Sequence, residues 1–308
     1  MSGEDPRAAA TVGFVGLGLM GAPMAANLVR AGFEVAVHNR SDGAAEELVA
    51  LGARRVAEVA DLAQLPVIIF MLPDLPFIEA AAEALLERWR REPPAQGATL
   101  LVMSTVAPDR VRGFGAVVRE ASGGRAAVVD APVSGGRQGA VDGTLAVMAG
   151  GAQEDFDRVE PVLKAMGRTV RLMGPLGAGS LTKACNQLVV GTTAAALAEA
   201  VVLAEHSGIE PAALLEILGG GLANSTVLQQ LGPRFAARDY TVTAPAKFMH
   251  KDLRFVLAAA EEAGTAVPLA TAGERVYAAV NDQGLGDLDL AVVREAIEHL
   301  GEARVRQG

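Results

Sequence analysis

Three glycines near the amino terminus have the spacing of a dinucleotide-binding turn. Residues 16–21 read GLGLMG, directly after the apolar run 12–15. In such a turn the first glycine permits the tight bend, the second lets the backbone approach a pyrophosphate, and the third lets a helix pack closely on a strand. The N–H groups at the start of that helix bind phosphate oxygens. The residues predicted to hold the cofactor phosphates are Gly16, Leu17, Gly18, Leu19, Met20 and Gly21.

The residues after the next apolar run indicate which dinucleotide is preferred. A site for NAD usually has Asp or Glu there to bind the ribose 2′-hydroxyl, but this chain reads Asn39-Arg40-Ser41. The Arg40 guanidinium can bind a 2′-phosphate, with Asn39 and Ser41 as further hydrogen-bond donors. We therefore predict that NADP(H) is preferred. NAD(H) remains possible if Arg40 is a solvated turn residue that stacks on adenine.

A lysine and two amides occur together at helical spacing in an otherwise apolar segment. Lys183, Asn186 and Gln187 are related as i, i+3 and i+4, so they share one helix face. Burial disfavours the charged form of a lysine, which suits a general acid or base. The spacing alone also allows Lys183 to be an end charge that reaches solvent.

Three further segments have polar residues that can serve a site. Ser134-Gly135-Gly136 follows an apolar run, and its backbone N–H groups can bind a carboxylate, although a plain turn has the same composition. Thr105 can bind a ribose or nicotinamide, or can cap the next helix. Lys251 and Asp252 stand where a solvated helix start is the default interpretation.

The elements that must position these residues are buried strands alternating with helices. Apolar runs at 65–72, 99–104, 126–130, 145–149 and 170–173 predict a parallel sheet covered on both faces. After about residue 175 the strand signals vanish, and a long helical pattern runs to about His206. We predict an α/β Rossmann-like domain at 11–175, preceded by a disordered tail at 1–10. An all-helical substrate and oligomerisation domain follows at 176–308, joined by a long interdomain helix.

Composition limits the possible partners. Net charge of −9 argues against nucleic acid and anionic membranes as partners. The apolar stretch 184–198 is shorter than the roughly 20 residues of a membrane span, and favours a helix buried between domains or subunits. The single cysteine and the scattered histidines give no metal site, and the residues at 1–10 do not resemble a signal peptide. We expect a cytoplasmic protein that is a homodimer or homotetramer.

The motifs, taken together and in order, resemble the β-hydroxyacid dehydrogenase family. The matching text is GFVGLGLMGAPMAANL, MLP, STVAP, DAPVSGGRQGAVDGTLAVMAGG, GAGSLTKACNQ and KFMHKDLRFVL. The resemblance extends from about residue 12 to residue 300. It implies an NAD(P)-dependent oxidoreductase that interconverts a small β-hydroxy acid and its semialdehyde or keto acid.

The resemblance also implies roles for single residues. Lys183 resembles the catalytic lysine of the family. The expected substrate contacts are Ser134, Gly135, Gly136, Asn186 and Gln187. Beyond the glycine turn and the 39–41 segment, the expected cofactor contacts are Leu72, Pro73, Thr105 and Lys251. The Asn39-Arg40-Ser41 ending resembles the branch that uses NADP(H).

Two other functions are compatible with a similar fingerprint. Imine reductases resemble this family but generally lack the lysine and the carboxylate-binding turn. A non-catalytic NADP(H)-binding module is the second alternative, and such proteins have lost the lysine and carry extra domains. Because Lys183 and Ser134-Gly135-Gly136 are both present, we favour the hydroxyacid dehydrogenase.

Overall fold

The first part of the chain is a nine-stranded sheet with helices on both faces. The computed structural model describes residues 11–305, and the side chains of residues 11–301, so the predicted tail 1–10 lies outside the described residues. The strands are β1 Thr11–Val15, β2 Glu34–His38, β3 Arg54–Arg55, β4 Val67–Phe70, β5 Ala98–Val102, β6 Ala126–Asp130, β7 Val133–Ser134, β8 Leu145–Gly150 and β9 Gly167–Gly174. The helices between them are α1 Gly21–Arg30, α2 Gly43–Ala50, α3 Leu75–Arg91, α4 Pro108–Ala121, α5 Gly136–Asp142 and α6 Gln153–Lys164.

The strand order places a ligand site at one end of the sheet. The order is β3-β2-β1-β4-β5-β6-β8-β7, with β9 beside β8. Strands β1 to β6 are parallel to one another, and the order reverses at β1, which lies between β2 and β4. Ligands of such sheets bind beside that reversal, at the carboxyl ends of the strands.

One part of the sheet differs from the sequence-based prediction. Strand β8 is antiparallel to β6 and β7, so the sheet is mixed and not wholly parallel. A continuous apolar run indicates that a strand is buried on both faces, but it carries no information about strand direction. The two-residue strands β3 and β7 were also not predicted from the sequence, because they are too short to give an apolar pattern.

Two apolar cores cover the two faces of this sheet. Helix α1 places Met24 and Leu28 against one face, where they pack with Phe14. Helix α3 places Ile78 and Trp89 on the other face. The fully buried indole of Trp89 donates a hydrogen bond to the Ala63 carbonyl at 2.7 Å. Burial on both faces explains why the central strands read as continuous apolar runs.

The rest of the chain is helical, as predicted. Its elements are α7 Ala178–His206, α8 Pro211–Gly219, α9 Thr226–Ala237, α10 Lys247–Glu262, α11 Pro268–Asp282 and α12 Val293–Val305, with a 3₁₀ turn at Leu290–Val292. The chain divides into two compact units after Lys183, within α7. The second unit has its own core, which includes Phe235, Leu253 and Tyr277.

Helix α7 combines unusual length with low polarity. It has 29 residues and a window of mean hydropathy 1.7, which by length and composition alone would allow a membrane span. Half of that window is buried inside the protein. The buried core helix of a globular protein has these same properties.

Candidate functional site

The glycine turn joins β1 to α1 and is built by backbone contacts. Gly16 has φ +98°, and a Cβ there would lie 2.3 Å from the Met71 carbonyl oxygen. A Cβ at Gly21 would lie 1.9 Å from the Gly16 carbonyl oxygen. A Cβ at Gly18 would meet no protein atom within 4 Å. The fold therefore requires glycine at 16 and 21, whereas Gly18 leaves open space beside the helix start, which fits a cofactor pyrophosphate.

The side chain of Asn39 organises the predicted 2′-phosphate segment. Its Oδ1 accepts a hydrogen bond from the Leu17 backbone N–H at 3.0 Å. Its Nδ2 donates to the Ser41 carbonyl at 3.0 Å and to the Ser41 hydroxyl at 2.9 Å. Asn39 thus links the end of β2 to the glycine turn. Arg40 is exposed beside it, so Arg40 and Ser41 are the groups of this segment available to a phosphate.

The loops after β4 and β5 are joined at the same edge of the sheet. The Leu72 backbone N–H donates to the hydroxyl of buried Ser104 at 2.9 Å, which places the predicted Leu72-Pro73 loop beside the loop that holds Thr105. Helix α4 begins at Pro108 with Ala107 as its N-cap, so Thr105 is not the N-cap residue. Sequence reasoning did not select Ser104, although it stands at the end of an apolar run like the other site residues.

The Ser134-Gly135-Gly136 turn joins β7 to α5 through two glycines with positive φ. Strand β7 ends at Ser134, and the next two residues have φ +135° and +63°, in the region that favours glycine. Helix α5 then begins, and the Asn27 side chain of α1 donates to its Ala140 carbonyl at 2.7 Å. Helix α5, which follows the turn, is therefore held against α1, the helix that starts at the dinucleotide-binding turn.

Lys183 lies in the second turn of α7 and is only 7% exposed. Lysine is rarely buried to this extent unless it is paired or functional. Its burial excludes the interpretation in which Lys183 is an end charge that reaches solvent. Lys183 remains the predicted acid or base.

The two amides on the same helix belong to a hydrogen-bonded chain within the second unit. The Asn186 Nδ2 donates to the Gln187 Oε1 at 2.9 Å, and the Gln187 Nε2 donates to the Asp252 Oδ2 at 2.7 Å. The Asp252 side chain lies on α10 and is buried. The carboxylate orients the Gln187 amide, and Gln187 in turn orients Asn186 so that the Asn186 Oδ1 is left as an acceptor.

The interpretation of Lys251 and Asp252 as a solvated helix start is wrong. Helix α10 begins at Lys247, so both residues lie in its second turn, and Asp252 is 4% exposed. The Lys251 Nζ lies 3.2 Å from the Asp252 Oδ1 and 4.8 Å from the Phe255 ring centroid. The buried residues Met249 and Leu253 are related as i and i+4, and Asp252 lies between them on the same face of α10. This apolar pattern was the signal in the sequence that could have indicated a buried carboxylate.

The fold and the glycine turn define a dinucleotide-binding protein of the Rossmann type, and comparisons with known proteins specify it further. Residues 11–174 match the family model described as the NAD binding domain of 6-phosphogluconate dehydrogenase. Residues 177–296 match the one described as the NAD-binding of NADP-dependent 3-hydroxyisobutyrate dehydrogenase. The chain belongs to the β-hydroxyacid dehydrogenase family, as its motifs predicted. It is an NAD(P)-dependent dehydrogenase of hydroxy acids.

Three relatives illustrate the similarity. The 2-hydroxy-3-oxopropionate reductase of Escherichia coli is 34% identical over 294 residues, covering 93% of this chain and 97% of that protein. The NAD-dependent L-serine dehydrogenase of Pseudomonas aeruginosa is 34% identical over 298 residues, with the same two coverages. The solved structure of Mycobacterium tuberculosis 3-hydroxyisobutyrate dehydrogenase with L-serine has a TM-score of 0.80 and 30% identity, and covers 94% of this chain and 99% of that one.

Proposed function

We propose that this protein interconverts a small β-hydroxy acid and its semialdehyde or keto acid, with NADP(H) preferred and Lys183 as the general acid and base. The observation that carries the proposal is the burial of Lys183, at 7% exposure, in the unit that also holds the Ser134 turn and the glycine turn. A buried lysine in the same compact unit as a turn that can bind a carboxylate is suited to proton transfer at a carbonyl oxygen near a carboxylate.

Each group of the chain has a defined task in this mechanism. A nicotinamide cofactor held by the glycine turn and the 39–41 segment would supply the hydride in reduction and accept it in oxidation. In reduction the Lys183 ammonium donates a proton to the substrate oxygen as that oxygen gains negative charge, and in oxidation the neutral amine removes the hydroxyl proton. The Ser134 hydroxyl and the Gly135 and Gly136 N–H groups bind the substrate carboxylate. Asn186, with Gln187, orients the lysine or the substrate hydroxyl.

The preference for NADP(H) is supported by the residues after β2. The Arg40 guanidinium is exposed and its neighbour Ser41 is held by Asn39, so a cation and a hydroxyl are both available to a 2′-phosphate. The test is kcat/KM with NADPH and with NADH at saturating substrate. We expect a clear preference for NADPH, and a clear preference for NADH would refute this part of the proposal.

The role of Lys183 is tested by the substitution Lys183→Ala. Loss of a positioned acid typically costs about 10²- to 10⁴-fold in rate, so kcat should fall by that factor while the Kd for NADPH is unchanged. Lys164→Ala is the matched control, because Lys164 is exposed and pairs with Glu160 at 2.9 Å on the outside of the same unit. Near-normal kcat in Lys183→Ala would refute the mechanism.

The substrate class is tested with a panel of compounds. Succinic semialdehyde, glyoxylate, tartronate semialdehyde and a cyclic imine are assayed for NADPH oxidation. We expect turnover of one or more of the three carboxylated carbonyl compounds. Turnover of the imine alone would favour an imine reductase, and cofactor binding without any turnover would favour a binding module.

We also propose a cytoplasmic homodimer or homotetramer that binds neither nucleic acid nor membranes. The support is the exposed apolar surface on α7, where Val189 is 63% and Leu203 is 70% exposed. Large exposed aliphatic side chains on one helix are typical of a surface that another subunit covers. Light scattering coupled to gel filtration measures the mass, and a monomer of about 31.6 kDa would contradict the proposal.

A further inference from the structure

A fully buried carboxylate at the end of β6 has no part in the mechanism above. Asp130 is 0% exposed. Its Oδ1 accepts a hydrogen bond from the Gly177 backbone N–H at 2.8 Å, and its Oδ2 accepts one from the Ser180 backbone N–H at 2.5 Å. Both donors lie at the start of α7, where N–H groups lack partners within the helix. Asp130 therefore caps α7 from a strand that lies 47 residues away in sequence.

The contact between Asp130 and α7 leaves no space for adjustment. A Cβ at Gly179 would lie 2.2 Å from the Met148 carbonyl oxygen and 2.7 Å from the Asp130 carbonyl oxygen. A Cβ at Gly150 would lie 2.4 Å from the Asp130 Oδ1 and 2.7 Å from the Gly179 N. Backbone of β6, β8 and α7 thus meets directly, so the first turn of α7 has one position relative to the sheet.

Hydrogen bonds from the start of α7 offset part of the cost of burying the Asp130 carboxylate. Burial raises the pKa of Asp130 above its ordinary value, and the hydrogen bonds from Gly177 and Ser180 oppose that shift. A buried carboxylate is costly unless its oxygens are hydrogen-bonded, and the positive end of the helix dipole supplies further stabilisation.

The same carboxylate is close in sequence to both parts of the proposed site. Ser134 follows Asp130 by four residues, through Ala131, Pro132 and Val133, and the first two of these are 0% and under 9% exposed in the packed interior. Lys183 follows the capped residue Ser180 by three residues on a continuous helix. Asp130 is thus joined covalently to the carboxylate-binding turn and by two hydrogen bonds to the helix that bears the lysine.

We propose that Asp130 is a positioning residue, which fixes Lys183 relative to the Ser134 turn by capping α7. The inference rests on the proposed role of Lys183. A displacement of about 1 Å between a catalytic group and its substrate can cost about 10²-fold in rate. Loss of the Asp130 cap should therefore lower kcat and leave the structure of the glycine turn unchanged.

The experiment is a double-mutant cycle of Asp130→Ala with Lys183→Ala, measured in single-turnover reductions at high enzyme concentration. We expect Asp130→Ala alone to lower the rate about 10- to 100-fold with the Kd for NADPH within about twofold. In the Lys183→Ala background the same change should cost less than about twofold, because the group it positions is gone. Asp130→Asn keeps one acceptor oxygen and should recover part of the rate.

Two further measurements separate positioning from general damage to the fold. Hydrogen exchange of the 177–183 segment should become faster in Asp130→Ala. Asp289→Ala is the matched control, since Asp289 is also 0% exposed and accepts from the Thr243 and Ala244 N–H groups at 2.8 and 3.0 Å, but within the second unit. Asp289→Ala should lower the Tm, but it should not cause the loss of rate that is expected for Asp130→Ala when Lys183 is present.

The outcomes distinguish the two proposals. If Asp130→Ala lowers the rate by the same factor in both backgrounds, the positioning role is overturned and the proposed function stands. If Lys183→Ala retains near-normal rate, both are overturned. Should Asp130→Ala fail to fold, the cycle is run with Asp130→Asn, and equal losses in the two backgrounds again overturn the positioning role.

Discussion

The two substitutions Gly21→Ala and Gly18→Ala should separate folding from cofactor binding at the glycine turn. A Cβ at Gly21 would lie 1.9 Å from the Gly16 carbonyl oxygen, and real Cβ atoms essentially never approach below 3.0 Å. The turn and α1 would therefore have to move apart by about 1.1 Å against backbone atoms. Overpacking of this kind costs about 1–3 kcal/mol, and the upper end applies because backbone cannot rotate away as a side chain can.

Gly18→Ala is the matched control, because the added methyl group meets no protein atom. No protein atom lies within 4 Å of a Cβ at Gly18, and φ at Gly18 is not positive. At such a position alanine is neutral or slightly stabilising, by up to about 1 kcal/mol. The methyl group would instead hold the pyrophosphate away from the backbone N–H groups. We expect the Kd for NADPH to rise about 10-fold or more, which corresponds to about 1.4 kcal/mol.

Thermal unfolding and nucleotide titration together test both expectations. Trp89 is the single tryptophan and is fully buried in the first unit, so its fluorescence reports unfolding of that unit. A loss of about 3 kcal/mol lowers the Tm of a domain of this size by roughly 6–12 °C. Unchanged Tm in Gly21→Ala would refute the close-approach argument. Unchanged NADPH affinity in Gly18→Ala would show that the pyrophosphate binds elsewhere.

Three further predictions concern single side chains. Asn39→Asp keeps an acceptor for the Leu17 N–H but adds a negative charge that repels a 2′-phosphate. The ratio of kcat/KM for NADPH to kcat/KM for NADH should therefore fall at least about 10-fold. An unchanged ratio would contradict this prediction. Arg238 hydrogen-bonds to the Glu298 carboxylate and holds the pKa of Glu298 below its ordinary value of 4.5. The stability contributed by this pair is therefore present above pH 4.5 and is lost as the pH falls through the lowered pKa of Glu298. Urea unfolding of Arg238→Gln should show a deficit of at most about 1 kcal/mol at pH 7 that shrinks in acid; a deficit independent of pH would be inconsistent with the pair. Arg294 is 1% exposed and donates to the Phe235 carbonyl, so Arg294→Met should lower the unfolding free energy by about 1–3 kcal/mol, and an unchanged urea midpoint would argue against that bond.

Much of the dinucleotide-binding unit could be predicted because its signals are local. The glycines at 16, 18 and 21 follow a strand and open a helix, and each requirement concerns atoms a few residues away. The apolar runs at 126–130 and 145–149 coincide with β6 and β8 within a residue, because burial on both faces leaves a continuous pattern. The helical breaks near Gly208, Gly219 and Gly264 were likewise visible, since glycine ends helices.

The parts that could not be predicted depend on partners distant in sequence. The direction of β8 is decided by which strand it joins in the sheet, and the apolar run is the same in either direction. The extra helix breaks at 238–246 and 283–289 have no glycine cluster comparable to 219–221. The exposed position assumed for Asp252 was wrong because its partner, Gln187, lies 65 residues away.

The sequence by itself therefore determined the family, the order of the elements and the residues that can do chemistry. Those properties depend on the spacing of residues along the chain. They follow from the glycine pattern, from the apolar runs of the buried strands, and from a lysine and two amides on one helix face. Only the tertiary structure decided how the helix start that precedes Lys183 is held, because the Asp130 carboxylate reaches Gly177 and Ser180 across 47 and 50 residues. A hydrogen bond of that kind depends on where two distant segments meet in the packed fold, and no local pattern records it.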